Sequence, residues 1–275
     1  MQSGYYDSRQ LETGLLSVFS KIFHSRDLIR LLVLRDVSLR YKRSIFGIFW
    51  TLLNPLITSL ILWAIFVNLF SGKLSSGVSY GQFVLSGILF STFITQGITM
   101  CADSISSSAA IITKVAVTPQ VFAVSAGLAA AVNFSIGLCA LGVLSLIIGN
   151  SIAWTAPLTV FMIACVVILI VGLGLCLSIL YIRFDDTRNI VNVSLMVVTY
   201  LTPIFYPENI LGHKMRLLVE LNPLTSYLKV FRTTFSHNGS SSGWNWIYMF
   251  ATSLFIFALG SKVFDRSWRK MVTML

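Results

Sequence analysis

The sequence predicts an all-α integral membrane protein with six transmembrane helices, on the strength of three observations. Between Lys114 and Arg183 the chain runs 68 residues without an Asp, Glu, Lys or Arg. Hydrophobic residues make up 56% of the 275 residues, and charged residues only 11%. A bilayer requires about 20 apolar residues per helical span, and an unpaired charge at its centre costs several kcal/mol. The uncharged run therefore holds two spans, joined at Gly149-Asn150-Ser151.

Breaks at Gly and Pro, together with the remaining charges, divide the chain into six apolar blocks. Their bounds are 47–70, 81–102, 120–148, 157–180, 190–206 and 244–262. The fifth block is the shortest, with 17 residues. At a rise of about 1.5 Å per residue it is shorter than a hydrocarbon core of about 30 Å. We expect this span to thin the bilayer, to pack centrally or to be completed by the segment that follows.

The N-terminal segment, 1–44, is predicted to be cytoplasmic and distinct from a membrane domain at 45–275. Helical spacing links Leu11, Leu15, Phe19, Ile22 and Phe23 among basic residues, which predicts an amphipathic helix in the membrane interface. The basic stretch Arg40-Tyr41-Lys42-Arg43 then leads directly into the first apolar block. Taken alone, this stretch is an elbow whose cations bind lipid headgroups.

The distribution of Lys and Arg predicts that both termini lie in the cytoplasm. In that orientation the inner segments hold 15 of the 20 Lys and Arg residues. Such an excess is what the positive-inside rule describes. The net charge of +10 is then explained by topology and lipid contact, and it requires no nucleic acid.

The external segment at 207–243 is too apolar for a free loop, yet its charged residues exclude a full span. Two short amphipathic helices, broken at Asn222-Pro223, satisfy both constraints if they dip back into the outer membrane face. We therefore predict an external re-entrant helical pair between spans 5 and 6.

Catalytic residues are not evident. The histidines His24, His213 and His237 are scattered, without the spacing of metal ligands. The acidic pair Asp185-Asp186 lies beside two arginines, and salt bridging or a helix cap explains it better than acid–base chemistry. We predict no enzyme, no metal site and no cofactor in this chain.

Three motifs occur in a distinctive order. Arg40-Tyr41-Lys42-Arg43-Ser44-Ile45-Phe46-Gly47, followed by Trp50 and Asn54-Pro55, opens the first span. Thr202-Pro203-Ile204-Phe205-Tyr206-Pro207 ends the fifth, and Leu221-Asn222-Pro223-Leu224 precedes the sixth. Together they resemble the permease subunits of ABC transporters that export polysaccharides, namely O-antigen, capsule and teichoic acid exporters. The resemblance covers nearly the whole chain.

The resemblance implies a homodimer that forms a pore in the cytoplasmic membrane of a bacterium or archaeon and moves a lipid-linked glycan. Two copies of a separate ATPase subunit would hold the ATP and Mg. The sequence agrees with a separate motor, because its only Gly-Lys pair, Gly72-Lys73, has Val67 where a phosphate-binding loop requires the first Gly.

Site residues follow from the same resemblance in three groups. A coupling helix to the ATPase is expected in the inner loop 103–118, at Ala109, Ala110, Ile111 and Lys114, with a flexible connector as the alternative. Rings stack on sugars while small polar groups exchange hydrogen bonds, so the channel-lining candidates are Phe90, Phe93, Gln96, Tyr200, Phe205 and Tyr206. For each aromatic residue, ordinary packing is the alternative. Capture of a lipid diphosphate is assigned to Arg40, Lys42 and Arg43.

Other functions stay open at this point. An exporter of another amphiphile or drug would share the architecture. An integral-membrane transferase would need catalytic residues that the sequence does not display. A proton-coupled carrier would need an ionisable residue within a span, and the interiors of the apolar blocks offer none.

Overall fold

The computed structural model describes residues 24–42, 44, 46–70, 79–112, 114, 117–147, 155–235 and 242–271, and these ranges contain helices and no strand. In chain order the α-helices are α1 (Arg26–Tyr41), α2 (Phe49–Phe70), α3 (Tyr80–Ser107), α4 (Ala109–Ile112), α5 (Gln120–Ile147), α6 (Leu158–Arg183), α7 (Thr187–Leu201), α8 (His213–Leu221), α9 (Pro223–Phe235) and α10 (Gly243–Met271). A single 3₁₀ turn, Glu208–Ile210, lies between α7 and α8.

Within the described residues, five helices are long and apolar enough to cross a membrane, namely α2, α3, α5, α6 and α10. They coincide with five of the six predicted apolar blocks. Both α3 and α10 run past their blocks, to Ser107 and Met271, because the hydrogen bonds of a helix continue into polar sequence outside an apolar window. The all-helical membrane architecture is therefore confirmed, while the six-span layout and its orientation stay predictions.

The fifth block forms α7, which has only 15 residues. It ends at Leu201 because Thr202 precedes Pro203, and a residue before proline is disfavoured in the α region. Thr202 accordingly adopts φ −84° and ψ 136°. The chain then continues without α-helix until α8, so α7 alone is about 22 Å long at about 1.5 Å per residue.

Close backbone contacts hold the centre of the helix bundle, where α6 packs between α3 and α10. A Cβ atom added at Gly260 of α10 would lie 2.1 Å from the carbonyl oxygen of Gly172. On another side of α6, a Cβ atom added at Gly174 would lie 2.3 Å from Cβ of Cys101 in α3. Small residues at these crossings let the helices approach closely, which is how helices associate in lipid.

Two helices lie at the periphery and leave apolar faces open. Only 11% of the apolar stretch of α2 is buried, and Leu60 is 65% exposed. In α7 the residues Ile190, Val193 and Met196 are each about 60% exposed. Surfaces of this kind contact lipid or another membrane chain.

Helix α1 packs on the start of α5 through Ile29 and Leu32, which contact Val121 and Phe122. The amphipathic helix predicted from Leu11 to Phe23 lies outside the described residues. The division of the chain at residue 44 also stays a prediction.

The predicted helical pair is present as α8 and α9, separated at Asn222. Helix α9 buries Tyr227, Leu228 and Phe231 in the main core. The Tyr227 hydroxyl donates to the Met249 carbonyl oxygen of α10 at 2.9 Å. Since α9 is anchored in the bundle in this way, its apolar residues require no exposure to water.

Candidate functional site

A groove of about 390 Å³ lies between α3 and α7, and we call it the α7 groove. Its polar lining is Thr95, Gln96, Thr99, Asn192 and Thr199, and its aromatic lining is Tyr200 and Phe205. The groove thus brings together three of the predicted channel-lining residues, Gln96, Tyr200 and Phe205. Hydroxyl and amide groups occupy the same wall as aromatic rings.

The aromatic end of the groove is set by the break after α7. The rings of Tyr200 and Phe205 lie 6.0 Å apart with their planes tilted by 44°. The Tyr206 hydroxyl donates to the Tyr200 carbonyl oxygen at 3.0 Å. Tyr206, a fourth predicted channel residue, therefore supports the backbone at the end of α7 and does not line the groove itself.

Two further predicted channel residues lie in the protein core. Phe90 is 1% exposed and stacks on Phe231 at a centroid distance of 6.0 Å. Phe93 is 3% exposed and stacks on Phe134 at 4.6 Å. Within one chain, packing with α5 and α9 accounts for both rings, and neither reaches the α7 groove.

A second opening, of about 480 Å³, lies between α1, α3 and α5, and we call it the α1 cleft. Its charged and polar lining includes Arg35, Asp36, Arg40, Thr99, Asp103, Ser104, Ser107 and Ser125. Thr99 lines both the cleft and the groove, so the two openings are neighbours along α3. The cleft combines serine hydroxyls with a cation from the basic junction.

Arg40 lies where the cleft meets the groove. Its Nη1 donates to Gln96 Oε1 at 3.2 Å, and its Nη2 contacts Met100 Sδ at 3.1 Å. The structure thereby joins a predicted diphosphate-binding residue to a predicted channel residue. Lys42 is exposed, and Arg43 lies outside the described residues.

The basic junction is fixed by the tyrosine between its cations. The Tyr41 hydroxyl donates to Asn133 Oδ1 of α5 at 2.8 Å and also hydrogen-bonds the Thr51 hydroxyl of α2. Gly47, at φ +50°, then turns the chain into α2, a conformation that favours glycine. These contacts hold the end of α1 against the membrane helices.

The acidic pair predicted to bond its neighbouring arginines is placed differently. Arg188 Nε donates to Asp103 Oδ1 of α3 at 2.9 Å, so it bridges two helices. Asp186 occupies the N-cap position of α7 without a side-chain cap hydrogen bond. Among the described residues, neither Asp185 nor Asp186 forms the predicted salt bridge. A long arginine side chain can reach a carboxylate on a neighbouring helix, so Arg188 pairs with Asp103 and not with the acidic residues beside it in the sequence.

The predicted coupling residues form the short helix α4 at the end of α3. Ala110 and Ile111 are exposed, and Ile111 exposes 38% of its surface. The carbonyl oxygen of Ser108 accepts from the backbone of Ile111 at 2.9 Å, which closes the turn. Lys114 follows and is exposed. An exposed apolar turn of this kind is a suitable contact for another protein.

The second and third motifs of the sequence meet in space. Asn222 Nδ2 donates to the Thr202 hydroxyl at 2.9 Å, and its Oδ1 accepts from the Leu224 backbone at 3.0 Å. One amide thereby caps the start of α9 and holds the end of α7. The helix breaks at Pro203 and Pro223 are therefore held together by a single side chain.

Arg232 is a feature that the sequence reasoning counted only as an external cation. Its guanidinium is partly buried and donates to the carbonyl oxygens of Pro203 at 2.9 Å, Phe83 at 3.0 Å and Ile204 at 3.3 Å. It also lies 3.7 Å from the centroid of the Phe83 ring. Among the described residues, no carboxylate oxygen lies within bonding distance of it. The sequence contained one sign that Arg232 faces the protein: it lies at helical spacing from Thr225 and Leu228, which are buried.

Comparison with known proteins assigns this helical architecture to a family. Residues 27–236 match the family described as ABC-2 type transporter. The chain is 24% identical over 245 residues to the O-antigen export system permease protein RfbA of Klebsiella pneumoniae, covering 87% of this chain and 92% of that protein. It is also 24% identical over 258 residues to RfbA of Myxococcus xanthus, covering 91% and 96%. The chain therefore belongs to the ABC-2 type transporter family of membrane proteins.

Proposed function

We propose that this chain is the transmembrane subunit of an ATP-driven exporter that moves a lipid-linked polysaccharide across the cytoplasmic membrane. The α7 groove is the observation that carries the proposal. Its threonines, its amides and its two rings suit a polymer that must slide without strong binding at any one point, because sugars present hydroxyls at their edges and apolar faces to rings. The relatives named as O-antigen export permeases support the same cargo class.

The proposed working unit is a homodimer. One wall of the groove is α7, whose outer face exposes Ile190 and Val193. A second copy packed on this face would close the groove into a channel and remove the exposed apolar surface. Two chains would then enclose the polar lining. This arrangement suits a polymer that is too long for a single chain to enclose.

The proposed orientation places both termini, α4 and the α1 cleft in the cytoplasm. In this arrangement α7 reaches the outer side, where the α8 and α9 pair dips into the membrane and closes the mouth of the channel. The Asn222 bond to Thr202 supports the view that α7 and this pair act together. The pair would then complete the fifth span, which α7 is too short to form alone.

The proposed motor is a separate ATPase subunit, present in two copies, that docks on α4. Ala110 and Ile111 would form the apolar part of the contact. Arg40 and its neighbours in the basic junction would receive the diphosphate of the lipid carrier before the glycan enters the groove, because a guanidinium binds phosphate oxygens in a bidentate manner.

The experiment measures surface polymer per permease molecule in cells that lack the native permease. Tyr200→Ala and Phe205→Ala each remove one ring from the groove, and each is expected to reduce export at unchanged membrane level. Phe255→Ala is the matched control, since Phe255 is an aromatic residue on α10 that is 68% exposed. Normal export by a variant that lacks both Tyr200 and Phe205 rings would contradict the proposed glycan path.

A further inference from the structure

Where the α1 cleft and the α7 groove meet, one side chain spans from α1 to α3. Arg40 reaches Gln96, which lines the groove, and Met100, which lines the cleft. The two openings share Thr99. The Arg40 side chain therefore contacts a lining residue of each opening.

Among the described residues around the cleft, the carboxylates are paired elsewhere and none bonds Arg40. Asp36 pairs with Arg35 at 2.9 Å, and Asp103 pairs with Arg188 at 2.9 Å. In the part of the chain that the structure describes, Arg40 is bonded only to an amide oxygen and a thioether sulfur. Both are neutral acceptors, and a thioether is a weak one. The contact is therefore one that an anion can displace.

We propose that Arg40, Gln96 and Met100 form a latch between cleft and groove, and that the diphosphate of a lipid-linked substrate opens it. Phosphate oxygens form shorter and stronger hydrogen bonds with a guanidinium than neutral acceptors do. A diphosphate in the cleft would take the Arg40 guanidinium away from Gln96. The Gln96 amide, which already lines the groove, would then be released from Arg40, and a path along Thr99 would open for the glycan that follows the headgroup.

This inference rests on the proposed function, because it assumes a diphosphate-linked cargo. It adds a consequence that a plain binding site does not have. Removal of Arg40 should weaken diphosphate binding and yet open the groove, because the same side chain both binds the anion and closes the passage. A residue that only stabilises the fold would not produce these opposite effects.

The test uses the purified full chain in phosphatidylcholine nanodiscs with farnesyl diphosphate as the probe. A Thr199→Cys substitution reports on the groove through its reaction with a charged, water-soluble thiol reagent, and the protein without this substitution gives the baseline for the four native cysteines. Farnesyl diphosphate is expected to bind and to raise the labelling rate at position 199.

Three variants separate the latch from general electrostatics. Gln96→Glu gives Arg40 an anionic partner, so we expect diphosphate affinity to fall about 5-fold and labelling to stay low. Asn189→Asp is the control, because it adds the same charge at an exposed position of α7 outside the groove and is expected to change affinity less than 2-fold. Arg40→Ala is expected to weaken binding and to give high labelling without the probe.

Each outcome bears on a defined claim. Failure of the unaltered chain to bind farnesyl diphosphate would overturn both the diphosphate-linked cargo and the latch. Binding with unchanged labelling in the unaltered chain and in Arg40→Ala would overturn the latch alone. A labelling increase in phosphatidylglycerol nanodiscs without the probe would assign the guanidinium to bilayer lipid and would likewise overturn the latch.

Discussion

Replacement of the partly buried Arg232 tests how the segment after α7 is held against the bundle. Its guanidinium donates to three carbonyl oxygens, and two of these belong to Pro203 and Ile204 in the non-helical segment after α7. Arg232→Met removes these three hydrogen bonds, and that of Nε to the Ser86 hydroxyl, while preserving much of the apolar stem. Arg232→Lys preserves the charge but supplies a single nitrogen, which cannot reproduce the planar fork.

The expected magnitude follows from these contacts. Hydrogen bonds to a charged group contribute about 1.5–3 kcal/mol each, so three sum to about 5–9 kcal/mol. Burial of the guanidinium costs several kcal/mol, which the Met variant avoids. We expect Arg232→Met to lower the free energy of unfolding by about 2–4 kcal/mol. Arg232→Lys should lower it by at least as much, because it retains the burial cost with fewer bonds.

Thermal unfolding of the purified protein in detergent measures the effect. A loss of this size corresponds to a fall in Tm of about 5–15 °C. Arg216→Met is the matched control, because Arg216 pairs with Glu220 at 3.0 Å on the exposed surface of α8 and should shift Tm by less than about 2 °C. A Tm of Arg232→Lys equal to that of the unaltered protein would refute the reasoning, since charge alone would then suffice.

Two further predictions concern the partner contact and the helix crossing. Ala110→Arg should reduce co-purification of the ATPase subunit while Tm stays unchanged. His213→Arg, at an exposed position of α8, is the control and should leave co-purification unchanged. Equal recovery of the complex with both variants would place the docking site elsewhere. Gly260→Leu should lower the free energy of unfolding by about 3 kcal/mol, since even a Cβ atom would lie 2.1 Å from the Gly172 carbonyl oxygen. Ala251→Leu, on an exposed face of the same helix, is its control, and equal Tm values would show that the crossing relaxes freely.

Much of the fold was predictable because lipid imposes length and charge limits that a sequence displays directly. The starts of α5 and α6 follow Pro119 and Pro157, and α6 ends at the charged Arg183. The break at Asn222-Pro223 likewise predicted two helices in place of one. In each case a local residue decides a helix end, so no knowledge of the packing was needed.

The site was only partly predictable, because sequence periodicity does not reveal which side of a membrane helix meets protein. Phe90 and Phe93 have the chemistry of a glycan path, but their face of α3 packs against α5 and α9. Arg232 has the chemistry of an exposed cation, but the carbonyl groups freed by the break at Pro203 require a buried donor. That requirement exists only in three dimensions, where distant segments meet.

The backbone contact between Gly172 and Gly260 also determines where this protein is able to change shape. Two helices that touch through main-chain atoms have no flexible side chains between them to absorb a shift, so α6 and α10 are expected to move as a single rigid body. The peripheral α2 and α7, which bury little of their surface, have no such restraint. We expect the transport cycle to move α2 and α7 relative to a stationary axis formed by α3, α6 and α10.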